Sequence, residues 1–107
     1  MQYGTIKLTQ GNINNHHLYL ASIMDLFPHD SIGGGSKATR ASRLLEIRAD
    51  SGDPTTTDIA GDKKIFRKRG WVRKFFATHK LKAGDTVVVE RTGPYQYHVY
   101  PKRKKSL

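Results

Sequence analysis

Residues 63–82 constrain this chain more than any other segment, because they combine a dense positive charge with regularly spaced apolar side chains. The segment contains nine lysines and arginines and no acidic residue. Its apolar residues recur at the spacing of one helix face, as Trp71, Val72, Phe75 and Phe76. A disordered basic tail would lack this spacing. The pattern therefore predicts an amphipathic helix over residues 71–80 within a folded domain.

The positive charge is large for a chain of 107 residues, and it is unevenly placed. The sequence has 19 Lys and Arg against 9 Asp and Glu, a formal net charge of +10. Residues 1–36, by contrast, carry one base, Lys7, against Asp25 and Asp30. A small domain that tolerates this much self-repulsion usually has a polyanionic partner. Composition thus favours binding to DNA, RNA or an acidic lipid surface.

Several other classes of protein are disfavoured. The chain has no cysteine, which excludes a disulfide scaffold, a thiolate zinc site and a cysteine nucleophile. No apolar run approaches the ~20 residues of a membrane-spanning helix, and no membrane partner is expected. The glycines at 33–35 lack the spacing of a phosphate-binding loop, and the histidines lack metal-ligand spacing. We therefore expect no metal, no cofactor, no small-molecule substrate and no catalytic residue.

Alternating apolar residues predict a mainly β fold of the α+β class. Short strands are expected at residues 4–9, 18–20, 43–49, 55–58, 63–66, 86–91 and 95–100. A second short helix is expected at residues 22–27, with Ser22 as its cap and Pro28 after its end. Residues 10–17, 31–36 and 50–54 are predicted to be irregular turns. The expected architecture is one barrel domain over residues 1–101, capped by the two helices, with residues 102–107 as a basic flexible tail.

A second pattern continues from the basic segment into the following strand. A Gly-Trp pair is followed by a helix with a core Phe, a Leu-x-x-Gly-Asp turn and a valine-rich strand. The residues are Gly70, Trp71, Phe75, Leu81, Gly84, Asp85, Val87, Val88 and Val89. In residue type and spacing this resembles the B3 domain, the DNA-binding pseudobarrel of plant transcription factors that is shared with recognition domains of some restriction endonucleases. The first strand and the short helix ending in Phe27-Pro28 extend the match, while residues 31–60 match only loosely.

The resemblance implies a seven-stranded open pseudobarrel with two arms that grip the major groove of DNA. The first arm maps to residues 10–17 and the second arm to residues 58–69. Arginine and lysine can bind phosphates or guanine, and asparagine can pair with adenine. The DNA-binding residues that the resemblance implies are Gln10, Asn12, Asn14, Asn15, His16, His17, Asp62, Lys63, Lys64, Arg67, Lys68, Arg69 and Arg73. Asparagines are also favoured in turns on backbone grounds, so a purely structural role stays open for them.

The function that follows is sequence-specific binding of double-stranded DNA by a non-catalytic, monomeric domain. The domain would belong to a restriction endonuclease or a transcription regulator. Its first arm carries Asn and His where plant members typically carry more Lys and Arg, which suggests a prokaryotic or restriction-type relative. The expected location is the cytoplasm, at the nucleoid, in a prokaryote and the nucleus in a eukaryote.

Two alternatives stay open. A small basic β-barrel can bind RNA by stacking bases on exposed aromatic rings, here Tyr95, Tyr97 and Tyr100. The chain can also be one domain of a nuclease whose catalytic part lies elsewhere.

Overall fold

The computed structural model describes residues 2–49 and 53–102. The helices are α1 (Gln10–Asn15) and α2 (Arg69–Thr78), with short 3-10 helices at Ala21–Leu26, His29–Ser31 and Lys37–Thr39. The strands are β1 (Gln2–Lys7), β2 (Ile32–Gly33), β3 (Leu45–Ala49), β4 (Thr55–Thr57), β5 (Ile59–Ala60), β6 (Ile65–Phe66), β7 (Thr86–Gly93) and β8 (Gln96–Pro101). The protein is mainly β, an α+β fold that forms an open rather than a closed barrel. This confirms the predicted fold class, with eight strands among the described residues where seven were expected.

The strands form two sheets. The larger sheet has the order β1-β7-β8-β3-β4, and the small sheet has the order β2-β5-β6. Tyr19 forms an antiparallel bridge with Ile65, which places the extended segment around residue 19 along the free edge of β6. The extended piece predicted at residues 18–20 is therefore an addition to the small sheet.

The hydrophobic core lies between the inward faces of the two sheets. Leu45 and Ile47 are fully buried on β3. Arg48, the residue after Ile47, is exposed, as the two-residue period of a strand requires. Ile59 and Phe66 enter the same core cluster from the small sheet. Because the two sheets share one core, their other faces point away from each other. Arg48 thus lies on the outward face of the larger sheet.

Tyr97 fastens the first 3-10 helix to the larger sheet. Its hydroxyl donates a 2.7 Å hydrogen bond to the carbonyl oxygen of Leu26, and burial raises the pKa of the phenol to about 12. The segment was expected to be a helix capped by Ser22. Its N-cap is instead Leu20, which makes no side-chain cap hydrogen bond, so packing rather than capping holds this turn.

The predicted amphipathic helix is confirmed as α2, which begins at Arg69 and ends at Thr78. Trp71 is half-buried and stacks on Phe75 with the ring centroids 5.4 Å apart. The buried residues of the helix are Val72, Phe75 and Phe76. The apolar spacing thus predicted correctly which face of the helix packs on the core.

The prediction that residues 10–17 lack regular structure is wrong. Residues 10–15 form α1, and Thr9 and Asn12 cap its start reciprocally. The Thr9 hydroxyl accepts from the Asn12 backbone N–H at 3.3 Å, and Asn12 Oδ1 accepts from the Thr9 backbone N–H at 2.7 Å. His16 then ends the helix with a left-handed φ of 55°. This capping box offsets the weak helix propensity of the Gly and Asn residues inside it.

Some predictions fall partly outside the described residues. These are the turn at residues 50–54, of which 53 and 54 are described, and the tail, of which Lys102 is described. In the described ranges, no helix is both long enough and apolar enough to span a bilayer.

Candidate nucleic-acid interface

The second arm consists of the β5–β6 hairpin and the residues that lead into α2. Its strands are joined by a tight turn, in which the backbone N–H of Lys64 donates to the carbonyl oxygen of Ala60 at 2.7 Å. Lys64 adopts a left-handed φ of 55° there. Lys63 and Lys64 are both exposed, as is Asp62, whose Oδ1 accepts from the Lys63 backbone N–H at 2.8 Å. The hairpin tip therefore presents two cations beside one carboxylate.

The first arm is divided by its helical form into exposed and buried side chains. Gln10 and Asn14 are exposed one helical turn apart, and Gln10 Nε2 donates to Asn14 Oδ1 at 3.0 Å. Asn12 is only 1 % exposed. Its Nδ2 donates to the carbonyl oxygen of His17 at 2.8 Å, and its Oδ1 caps the helix at Thr9. Asn14 thus offers its amide to solvent, whereas the Asn12 amide is used within the protein and is not available to a base.

The two arms touch each other. Nη2 of Arg69 donates a 3.0 Å hydrogen bond to the carbonyl oxygen of Asn15. Asn15 Nδ2 lies 3.5 Å from the hydroxyl of Tyr19, and Tyr19 bridges to Ile65 of β6. The end of the first arm is therefore joined to the second arm at two places.

The small sheet has a second face, opposite the one that carries Ile59 and Phe66. Directly opposed residues of an antiparallel pair share a face. Tyr19 opposes Ile65 and Ile65 opposes Ala60. Asp58 and Arg67 lie two residues from Ala60 and Ile65, just outside β5 and β6, and the Arg67 N–H donates to the Asp58 carbonyl oxygen at 3.0 Å. These five residues define what we call the outer face of the small sheet. It lies opposite the face that carries Ile59 and Phe66 of the core cluster, and it is covered by the protein, because Asp58, Ala60 and Ile65 are all buried.

His17 lies in the positive environment between the arms. It is 7 % exposed, its Nδ1 is 3.3 Å from the Tyr19 hydroxyl, and its Nε2 has no hydrogen-bond partner among the described residues. Burial lowers the pKa of its imidazole, and the positive charges of Arg69, Lys63 and His16 lower this pKa further. Arg69 and Lys63 of the second arm thus lie close enough to His17 of the first arm to act on its charge.

Arg67 is directed into the protein. Its Nε and Nη2 donate to the two carboxylate oxygens of Asp58 at 2.7 and 3.1 Å. Its Nη2 also donates to the carbonyl oxygen of Gly34 at 2.7 Å, and its Nη1 donates to that of Ser36 at 3.1 Å. The guanidinium is thus occupied by protein acceptors and does not present the free fork that reading a guanine requires.

Asp58 is the buried partner that holds Arg67. The residue is 2 % exposed, and burial by itself would raise the pKa of its carboxyl. The hydrogen bond from Arg67 and one from the backbone N–H of Ala41, at 2.7 Å, reverse this effect, so that the pKa lies below its ordinary value. Asp58 is therefore ionised at neutral pH, and its carboxylate holds the Arg67 guanidinium and the Ala41 N–H in place.

The remaining cations of the basic segment point outward. Lys68 is exposed, and its Nζ donates to the hydroxyl of Thr55 at 3.1 Å. Arg73 lies one helical turn after Arg69 on α2, so that the two exposed guanidinium groups share one side of the helix. They extend the positive surface from the junction of the arms along α2.

The structure sorts the predicted contact residues by their exposure. The exposed ones are Gln10, Asn14, Asn15, Asp62, Lys63, Lys64, Lys68, Arg69 and Arg73. Half-buried ones are His16 and Arg67, and buried ones are Asn12 and His17. The contact between Arg69 and Asn15 places one exposed residue of each arm side by side.

Three residues beside the arms were missed by sequence reasoning. Tyr19 is 36 % exposed and contacts Asn15 of the first arm and β6 of the second. Lys37 and Arg40 are exposed, and Arg40 lines a cleft of about 250 Å³ together with Lys68. No local sequence pattern identifies Lys37 and Arg40. Two bases after a run of glycines can be assigned to a surface only when the position of the loop in the fold is known. Among the described residues, no three His, Asp or Glu side chains are grouped so as to hold a metal ion.

The comparisons with known proteins bear on the fold. No protein-family profile and no curated protein matches the sequence. The structure is similar to the N-terminal domain of Helicobacter pylori LlaJI.R1, with a TM-score of 0.57 and 13% sequence identity over 94% of this chain and 87% of that chain. At this identity the likeness shows a common fold and nothing about a partner, which has to follow from the chemistry of the exposed side chains.

Proposed function

We propose that this chain binds double-stranded DNA and reads its sequence through the two arms. The observation that carries the proposal is the contact between Arg69 and Asn15, which joins an exposed cation of the second arm to the end of the helix that carries the exposed amides of the first. Cations bind phosphates regardless of sequence, whereas amides hydrogen-bond to the edges of bases. The two kinds of contact that specific binding needs thus lie side by side.

The exposed residues divide naturally between these two roles. The cations proposed to bind phosphates are Lys63, Lys64, Lys68, Arg69 and Arg73. The amide of Asn14 is proposed to pair with a base, adenine being the geometric match for two hydrogen bonds. Gln10, now bonded to Asn14, can exchange that bond for one to DNA. Arg67 is left out of both roles because its donors are occupied by Asp58, Gly34 and Ser36.

We propose duplex DNA rather than single-stranded RNA as the partner, because the tyrosines do not form a platform on which bases could stack. Tyr97 is buried. The hydroxyl of Tyr95 donates to Asp30 at 2.9 Å, and the guanidinium carbon of Arg43 lies 3.8 Å from the Tyr95 ring centroid. One of the three rings is therefore inside the core, and a face of another is already occupied.

We propose further that the domain itself is non-catalytic and supplies recognition to a restriction enzyme or a transcription regulator, as the resemblance to the B3 domain implies. Incubation of the pure protein with supercoiled plasmid and Mg²⁺ tests this. The plasmid is expected to remain intact, and nicking or linearisation that co-purifies with the protein would overturn the non-catalytic assignment.

The experiment that tests DNA reading is selection of bound oligonucleotides from a randomised duplex pool. Enrichment of a short motif is the expected result. Affinity for that motif and for a scrambled duplex is then measured by fluorescence anisotropy at several salt concentrations. The log of the binding constant should fall with log salt by about 0.9 for each phosphate contacted. A pool that stays random, or stronger binding to single-stranded RNA, would contradict the proposal.

Variants separate the two kinds of contact. Lys63→Ala should weaken binding to both duplexes equally and reduce the salt slope by about one. Lys64→Gly should do the same, and glycine accepts the left-handed backbone at that position without strain. Asn14→Ala should instead reduce discrimination between the duplexes, by about 1–3 kcal/mol for a two-bond contact. Arg48→Ala, on the outward face of the larger sheet, is the matched control and should change neither quantity.

A further inference from the structure

The glycine-rich loop after β2 is built into the fold. β2 pairs in parallel with β5, and the Gly61 N–H donates to the carbonyl oxygen of Gly33 at 2.9 Å. The chain then folds back on itself, because the Gly34 N–H donates to the carbonyl oxygen of Thr39 at 2.6 Å. A Cβ at Gly33 would lie 2.5 Å from the backbone nitrogen of Ala41. Only glycine permits this close return of the chain.

The turn within the loop is locked by its own side chains. The hydroxyl of Thr39 accepts from the Ser36 N–H at 3.1 Å and donates to the Ser36 carbonyl oxygen at 3.0 Å. The Thr39 N–H in turn donates to the same carbonyl at 3.0 Å. The residues between them, Lys37 and Ala38, are exposed, as is Arg40 directly afterwards. The loop therefore has a defined conformation and carries two cations.

Arg67 and Asp58 attach this loop to the second arm. The guanidinium of Arg67 donates to the carbonyl oxygens of Gly34 and Ser36, while the carboxylate of Asp58 accepts from the N–H of Ala41. Both ends of the loop are thus tied to residues on the outer face of the small sheet. Arg40 and Lys68 line the same cleft, so that Arg40 continues the positive surface of the second arm.

We propose that residues 34–40 form a third DNA-contacting segment, in which Lys37 and Arg40 bind phosphates and Arg67 acts as a positioning residue that holds the loop beside the second arm. This inference rests on the proposed function. In this inference Arg67 does not touch DNA. Its guanidinium, whose donors are bonded to Asp58, Gly34 and Ser36, holds the loop in position. The loop adds cations from a part of the chain about thirty residues away from the second arm in sequence.

Salt dependence of duplex binding tests the two cations. Lys37→Ala and Arg40→Ala should each reduce the slope of log binding constant against log salt by about one, while the thermal unfolding midpoint stays unchanged. Arg48→Ala provides the matched control and should leave the slope as it is. If the slope is unchanged in both loop variants, the inference is wrong.

A double-mutant cycle tests the role of Arg67. Arg67→Lys keeps the charge but cannot make the four hydrogen bonds of the guanidinium, so it should release the loop and weaken binding. In that background, Arg40→Ala should reduce duplex affinity much less than in the wild type, because the released loop no longer holds Arg40 beside the second arm. Full additivity, or an Arg67→Lys variant that binds as the wild type does, would show that Arg67 does not position the loop.

The same experiments distinguish failure of this inference from failure of the proposed function. If Lys63→Ala reduces the slope and the loop variants do not, the two-arm proposal stands and the third segment is rejected. If the wild-type protein has no salt-dependent affinity for duplex DNA, both are rejected. The Lys37 and Arg40 variants keep the test decisive even if Arg67→Lys fails to fold, because they change exposed side chains only.

Discussion

Nη2 of Arg69 lies 3.0 Å from the carbonyl oxygen of Asn15, a hydrogen bond between residues 54 positions apart in the sequence. Arg69 is the first residue of α2 and Asn15 is the last residue of α1. One bond thus connects the start of the longer helix to the end of the short one. Because α1 has only six residues, it depends on such tertiary contacts for its stability.

We expect Arg69→Ala to loosen α1 and to weaken DNA binding at the same time. Loss of the bond to Asn15 should raise the hydrogen-exchange rates of the α1 amides, and loss of the charge should reduce affinity by about tenfold or more, as for one charged hydrogen bond. Exchange measured by mass spectrometry and affinity measured by anisotropy check the two effects. Lys68→Ala removes a neighbouring charge without touching α1, so it should lower affinity and leave exchange unchanged. Equal hydrogen-exchange rates of α1 in both variants would show that the hydrogen bond from Arg69 to Asn15 does not stabilise α1.

The same substitution should lower the stability of the protein at Asn12 and leave it nearly unchanged at Asn14. Asn12→Ala removes the helix cap and leaves the N–H of Thr9 and the carbonyl of His17 without partners, so it should lower the free energy of unfolding by about 2 kcal/mol. Asn14→Ala changes an exposed side chain and should alter stability by less than about 0.5 kcal/mol. Urea unfolding followed by circular dichroism measures both. Similar stability losses in the two variants would mean that α1 does not separate them as described.

Asp58→Asn should destabilise the protein strongly at neutral pH and weakly in acid. Removing the charge from a buried ion pair costs about 3 kcal/mol. Because the pKa of Asp58 is lowered in the folded protein, its stabilisation is present above the unfolded pKa of about 4 and disappears as the pH falls through the folded pKa. The difference in unfolding free energy between wild type and variant should therefore shrink from pH 7 to pH 3.

Urea unfolding at both pH values measures this difference, with Asp25→Asn as the control. Asp25 is an exposed carboxylate, and its substitution should change stability by less than about 0.5 kcal/mol at either pH. A difference for Asp58→Asn that stays constant from pH 7 to pH 3 would argue against an ionised, hydrogen-bonded carboxylate.

His17 should make the protein less stable below neutral pH. Its pKa is lowered by burial and by the neighbouring cations, so the unfolded chain binds the proton more tightly than the folded protein does. Stability is therefore complete above the unfolded pKa of about 6.5 and falls as the pH drops below that value. His17→Gln should flatten the dependence of unfolding free energy on pH between 7.5 and 5. His29→Gln, at an exposed position, should leave the dependence unchanged, and identical profiles for the wild type and His17→Gln would exclude this effect.

The main elements of the fold were predictable because they depend on local patterns. Alternation at Leu45 and Ile47 identified β3, and the spacing of the apolar residues around Phe75 identified α2. These patterns report which side chains must leave water, and that requirement is the same wherever the element is placed. α1 was missed because its Gly and Asn residues have low helix propensity, although the pair Thr9 and Asn12 is a local capping signal.

What the sequence determined about the candidate site was its charge. A chain with this many cations between residues 63 and 82 has to present most of them to solvent, since a lone charge is costly to bury. Which cation is free was decided by the tertiary structure. Lys63 and Arg67 are equivalent by composition, yet one is exposed and the other is bound by Asp58 and by two backbone carbonyls more than thirty residues away. Hydrogen-bond partners so distant in sequence come together only when the sheets pair, and this physical fact separates the cation that is exposed to solvent from the cation that holds the protein together.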